Sequence, residues 1–337
     1  MKLCALCLKN NANKKNTHYL TDAIIRSALN EDGKSKRAYG LTYEVNNSSP
    51  FIDFNFQQNT TAKSIVNALG RPANDNEIKK SKDNTAFSVD NVFCDKCEDK
   101  FTAIENKFID KILPKFRNSN ISSITELKLT NAKLVRLFFL LQVWRSSVCD
   151  EIFKIADESS QKIRLIILDS IDSDVDIINK FPLSITYLVT DEGDIPNMVG
   201  FTSYRNPHII CMNDFLVQFY DNPESLKFDE LYGINEKENY DYFVNRNENE
   251  FTVKIISNEK RLSFLNKFRR HIQDEQLDII QLFNDEWKNT YGEIPSKDVQ
   301  EDFFREFIKD LENIPTAQKM SEDRFLVFIK NFINSNN

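Results

Sequence analysis

Apolar residues recur with two different periods along the chain, and each period predicts its own kind of element. In EDKFTAIENKFIDKIL (98–113), Phe101, Ile104, Phe108 and Ile112 fall three or four residues apart, which puts them on one side of a helix. AKLVRLFFLLQVWRSSVCDEIF (132–153) is a strongly apolar stretch that reads as a buried helix, and the charged SSQKIRLIILDSI (159–171) follows it. The pattern then changes. LSITYLVTD (183–191), MVGFTSYR (198–205), HIICMNDFLVQFY (208–220) and FTVKII (251–256) are rich in β-branched and aromatic residues and bounded by turn residues, which predicts a small sheet. From about residue 259 helical spacing returns through RLSFLNKFRRHI, LDIIQLFNDEWKNTY, a helix opened by Pro295 and Ser296, and FLVFIKNFI.

The N-terminal third mixes short elements. Thr21 stands where it caps a helix over DAIIRSAL, EDGKSKR is a basic turn, and LTYEV and PFIDFNF alternate like strands around NNSSP. TTAKSIVNALG predicts a capped helix closed by glycine, and RPANDNEIKKSKDN an exposed loop. NSNISSIT (118–125) has the composition of a linker. The predicted class is α+β, with one module over 1–117 and a larger body over 126–337 of helices around a small sheet.

Composition narrows the setting. With 337 residues, 41% hydrophobic and 28% charged, the chain can bury a sizeable core and is neither disordered nor membrane-like in balance. Its most apolar run, LVRLFFLLQVW, is broken by Arg136 and Gln142 and falls short of the roughly 20 residues that span a bilayer. No apolar leader with a small-residue cleavage site opens the chain, so a cytoplasmic protein without a membrane partner is expected. The net charge of −7 is unevenly spread: residues 1–120 hold 19 Lys and Arg against 14 Asp and Glu. A basic segment in an acidic chain is the sign expected of a surface that meets phosphates, and equally of a solvated face.

Six cysteines are too few for the disulfide framework of a small secreted domain, yet four of them form two C-x-x-C pairs, Cys4/Cys7 and Cys94/Cys97, with 86 residues between. Four soft thiolates suit a closed tetrahedral zinc site. Closing a loop of that length costs about 4 kcal/mol plus a constant, against roughly 10–16 kcal/mol for zinc binding in small fingers. Two separate thioredoxin-like redox pairs are the competing reading, but neither pair sits in a strand-to-helix crossover pattern. Cys149 and Cys211 have no partner at metal spacing and read as small buried hydrophobes. His208 and His271 read as structural or exposed, Trp144 and Arg145 as core packing, and KFRRH (267–271) as a solvated helix face.

Eleven residues after Cys7 comes His18, and N-x-x-C-x-x-C, with Asn91 at its head and Glu98 at its tail, leads into the helix that carries Glu105. This set resembles the four-cysteine branch of the HNH endonucleases, whose fold is ββα-metal. CALCLKNNANKKNTHYLTDAI resembles a bacterial group in which the histidine lies in a Ser-His-Ile-Ile-Pro-like stretch, and FLLQVWRSSV is similar to that group's later segment. The resemblance implies that Cys4, Cys7, Cys94 and Cys97 hold structural Zn²⁺, that His18 is the general base and that Asn91 orients the loop. It also implies that Glu98 ligates a catalytic Mg²⁺ or Mn²⁺, with Glu105 supporting the same helix face. The implied activity is hydrolysis of phosphodiester bonds in DNA, with RNA as the other substrate. The implied setting is antiphage defence beside an ATPase or another system partner, with the body dimerising or regulating. Three features depart from the family: Thr17 replaces the usual acidic or histidine ligand, Asn91 lies closer to its cysteine, and no histidine follows Cys97 before His208. They define the alternative, a catalytically inactive zinc-stabilised module that binds nucleic acid or protein.

Overall fold

The computed structural model describes residues 2–29, 41–44, 53–56, 63, 65–66, 71–76, 78–79, 86–117, 121–150, 153–172, 181–191, 197–201, 206–246, 249–312 and 322–335. The EDGKSKR and NNSSP turns and most of TTAKSIVNALG lie outside them. Within RPANDNEIKKSKDN, read as a loop, 75–76 and 78–79 are helical. In chain order the elements are β1 (Thr17–His18), α1 (Asp22–Ile25), β2 (Leu41–Glu44), β3 (Asp53–Phe56), β4 (Ser88–Val89), α2 (Asp95–Lys111), α3 (Pro114–Arg117) and β5 (Glu126–Leu129). Next come α4 (Ala132–Cys149), α5 (Asp157–Asp172), β6 (Leu183–Leu188), β7 (Val199–Phe201), β8 (His208–Met212), β9 (Phe215–Phe219), β10 (Val244–Asn245) and β11 (Phe251–Ile256). Three helices follow: α6 (Asn258–Tyr291), α7 (Lys297–Glu312) and α8 (Glu322–Ser335). The class is α+β.

The principal sheet has seven strands in the order β5-β11-β6-β9-β8-β7, with β10 also on β6. It is mixed: β11 runs parallel to β6, and the other pairings are antiparallel. HIICMNDFLVQFY, which has the composition of one long strand, divides into β8 and β9 because Asn213 turns at φ 56°, a conformation asparagine tolerates. Register sets Val253, Ile185, Val217 and Ile210 in one row across four strands. That face belongs to a core shared with Phe108, Phe138, Phe139, Phe215 and Trp144. The alternate positions are buried too but polar. Ser184 opposes Gln218, whose amide exchanges bonds with Asn235, and Thr186 opposes Lys254, which donates to the Ile234 carbonyl at 2.8 Å. Both faces of these strands are buried, so the polar residues that alternate along β6 and β11 do not mark a solvated face.

The chain resolves into two compact units, residues 1–41 with 56–265, and 42–55 with 266–337. In the first, α2 and α4 pack through Phe108, whose ring stacks on Phe138 at 3.7 Å and meets Phe139 and Phe215 edge-on. Trp144 closes the other end against Phe93 and Phe101. In the second unit, Phe283, Phe303 and Phe332 centre a separate helical core. Among the described residues no helix is long and apolar enough to cross a membrane. Because Phe108 has no exposed surface and touches three rings, Phe108→Ala is expected to lower stability by about 3–5 kcal/mol, measured by urea unfolding.

Candidate metal centre

Each C-x-x-C pair folds into a tight backbone turn that points both sulfurs the same way. In the first, the Leu8 amide donates to the Cys4 carbonyl at 2.9 Å and Leu8 takes a left-handed φ of 54°, uncommon for a side chain of its kind. In the second, Cys94 is the residue before α2, and the amides of Cys97 and Glu98 both donate to its carbonyl at 3.0 Å. Main-chain bonds join the turns: Ala5 N–H donates to Val92, and Asn13 and Lys14 N–H both donate to Phe93. The 86 intervening residues are thereby closed on themselves at their base.

The four Sγ atoms lie within 4.8 Å of one another, with Cys7 and Cys94 4.0 Å apart. A tetrahedral zinc with Zn–S of about 2.3 Å sets its sulfurs about 3.8 Å apart, so the cluster is the size such an ion requires. None of the four is in a disulfide, and both pairs enter one group rather than two. Cys4, Cys94 and Cys97 are buried and Cys7 is half-buried. Asn10 serves the centre twice, its backbone N–H donating to the Cys7 sulfur and its side-chain amide to the Cys94 sulfur, both at 3.5 Å. Burial opposes ionisation of Cys7, but the Asn10 and Lys9 N–H groups outweigh it and bring the thiol down to about 7, whereas burial pushes Cys4 and Cys97 up. The set can hold a metal ion.

A two-stranded antiparallel ribbon and a helix adjoin the cluster. β1 pairs with β4, His18 opposite Ser88 and Thr17 opposite Val89, and α2 follows directly after the second turn. His18 is half-buried, and Thr17 is buried with its hydroxyl oxygen lacking a hydrogen-bond partner among the described residues. Asn91 is exposed at φ 58°, and its amide donates to the Lys14 carbonyl at 2.7 Å, fixing the loop between ribbon and cluster through its backbone.

Glu98 points into a buried polar group that includes Arg145, which has 1% of its side chain exposed. Arg145 Nη1 donates to Glu105 Oε1 at 2.8 Å, and Nη2 lies 3.7 Å from Glu98 Oε1. The Thr21 hydroxyl, read as a helix cap, instead donates to Glu105 at 2.7 Å, while the Thr21 amide donates to the Gln142 side chain. Glu98 Oε2 is buried and has no hydrogen-bond partner among the described residues. Burial raises the Glu98 pKa, Arg145 opposes that shift, and Glu105 reinforces it. An orphaned carboxylate oxygen is chemically suited to a hard divalent cation. Arg145 is thus no simple packing residue. Its signal in the sequence was a charge inside an apolar helical run, which is tolerated only when paired.

The remaining candidates are structural. His208 is buried between Phe153 and Phe219 and bonds Asp221 at 2.8 Å; Asp221 also accepts from the Ala156 amide. Burial pushes the thiols of Cys149 and Cys211 up to about 12. Lys267 and Arg270 of KFRRH are exposed on α6, and the His271 side chain lies outside the described residues. Compared with protein-family models, curated proteins and solved structures, the chain gives no match. Cys94→Ser removes one of the four thiols and is expected to abolish stoichiometric metal binding and to lower the melting temperature, read by elemental analysis and calorimetry of the purified protein.

Proposed function

We propose that this protein is a zinc-stabilised, divalent-metal-dependent nuclease of HNH type that hydrolyses phosphodiester bonds in DNA. The observation that carries the reading is the order in space of its parts: a four-thiol cluster, an antiparallel ribbon bearing His18, and a helix whose first turn presents Glu98. Thiolate softness and the closed arrangement of four sulfurs favour zinc at Cys4, Cys7, Cys94 and Cys97, in a structural role. When bound, Mg²⁺ or Mn²⁺ supplies charge stabilisation at the transferring phosphate.

The chain's own residues supply the rest. His18, as a neutral imidazole, takes the proton of the attacking water. Asn91 holds the turn that sets the ribbon against the cluster. Glu98 offers the carboxylate oxygen that no other described group engages. Lys2, Lys9 and Lys15 are among the basic residues exposed or flanking the cluster and suit a polyanion. The larger sheet-bearing body is assigned recognition or regulation, with an ATPase or a second copy of the chain as candidate partner.

One observation favours a second reading, a zinc-stabilised binding module: the ion pair with Arg145 gives Glu98 a structural task. Plasmid nicking in Mg²⁺ and Mn²⁺ separates the two. His18→Ala is expected to keep the metal of the cysteine cluster while slowing cleavage by about 10²–10⁴-fold. Equal cleavage by the variant removes His18 from the mechanism, and inert wild type on DNA and RNA favours the binding module. If the protein acts on or binds nucleic acid, its affinity for DNA is expected to fall steeply with salt whatever the sequence, measured by fluorescence anisotropy; affinity that does not change with salt favours a protein partner.

A further inference from the structure

Arg145 sits in a place that packing alone does not explain. It projects from a helix whose neighbours Phe138, Leu141 and Trp144 are buried, and it is itself 1% exposed. Taking a guanidinium from water costs several kcal/mol, and a buried ion pair seldom returns more stability than well-packed apolar side chains would. Its geometry is selective. The fork is anchored on Glu105 by a 2.8 Å bond to Oε1, the same oxygen that accepts from the Thr21 hydroxyl. The guanidinium also lies over the Phe101 ring, 5.0 Å from its centroid, which fixes the guanidinium carbon against the helix.

So held, its second arm lies 3.7 Å from Glu98, which stands seven residues before Glu105 on the same face of α2. That distance is too long for a hydrogen bond but short enough for strong attraction in a site shielded from water. The result is a carboxylate with one oxygen turned towards a fixed cation and the other uncommitted. Two carboxylates share one guanidinium, and Lys14 acts on Glu98 as a second, more distant cation.

We propose that Arg145 is a positioning residue: anchored by Glu105 and Thr21, it orients Glu98 so that Oε2 is presented to a divalent cation. The inference rests on the reading of Glu98 as a metal ligand. Lysine cannot replace the planar fork, because a single ammonium that stays on Glu105 leaves Glu98 free to rotate. Groups that orient a ligand typically contribute 10–100-fold to metal affinity.

The test is Mn²⁺ titration of the full-length, zinc-loaded protein by electron paramagnetic resonance, with zinc content and melting curve recorded for every variant. Wild type is expected to bind Mn²⁺ and Glu98→Gln to lose it. Arg145→Lys is expected to bind Mn²⁺ about 10–100-fold more weakly while zinc and melting behaviour are retained. Should Arg145→Lys fail to fold, Glu105→Gln serves instead. It is isosteric, keeps an acceptor for Thr21, and frees the guanidinium to neutralise Glu98, so the same weakening is expected. Folded variants that bind Mn²⁺ as tightly as wild type overturn the positioning role and leave Glu98 a ligand. A wild type that binds no Mn²⁺, or loss of fold in both variants, also overturns it; the former removes the catalytic-metal reading with it, and the latter makes Arg145 a purely structural staple.

Discussion

The convergence of four sulfurs is the constraint on which the N-terminal part of this protein depends. Leu6 within the first cysteine turn and Phe93 just before the second are fully buried in the main core, whereas Leu3 and Leu8 are about half exposed. Main-chain bonds from Ala5, Asn13 and Lys14 add to that packing in holding the two turns together. Free thiols gathered at this spacing and largely buried gain little from one another; an ion that bonds to all four makes the arrangement favourable. The ribbon and the first turn of α2 are built directly on the second turn, so the positions of His18 and Glu98 follow from the cluster.

From that corner the structure grows inward. Phe93, between the cluster and the ribbon, packs on Phe101 and Trp144, and Phe101 and Phe108 carry the same helix face on to Phe138 and the sheet. Polar ties follow the same route: Asn213, at the β8–β9 turn, donates to the Ile24 carbonyl and to Ser27, and Arg117 pairs with Asp214. The segment with the cysteines and the principal sheet thus belong to one core.

Much of this was legible from spacing. The helix at 95–111 follows its apolar period and the one at 132–149 its strongly apolar run, and the two C-x-x-C pairs mark the thiols that come together. Other features had no local signal. β5 and β10 are short strands defined by their partners, and the turn dividing β8 from β9 depends on one asparagine in a run of β-formers. The buried polar face of the sheet, with Gln218, Thr186 and Lys254, arises from a covering loop whose contacts are long-range. Thr21 reads as a helix cap because its sequence neighbourhood is right, but Glu105, 84 residues away, takes its hydroxyl. Arg145 does carry a signal, because a charge in a buried helix points to a partner, and here there are two carboxylates.

Whether one zinc ion joins the two halves of the thiol cluster is measured by X-ray absorption at the zinc edge of the purified protein. The expected result is a single environment of four sulfur neighbours at about 2.3 Å, with no nitrogen or oxygen ligand. A folded protein with no bound metal and its cysteines paired as disulfides, or a site in which imidazole replaces a sulfur, contradicts it.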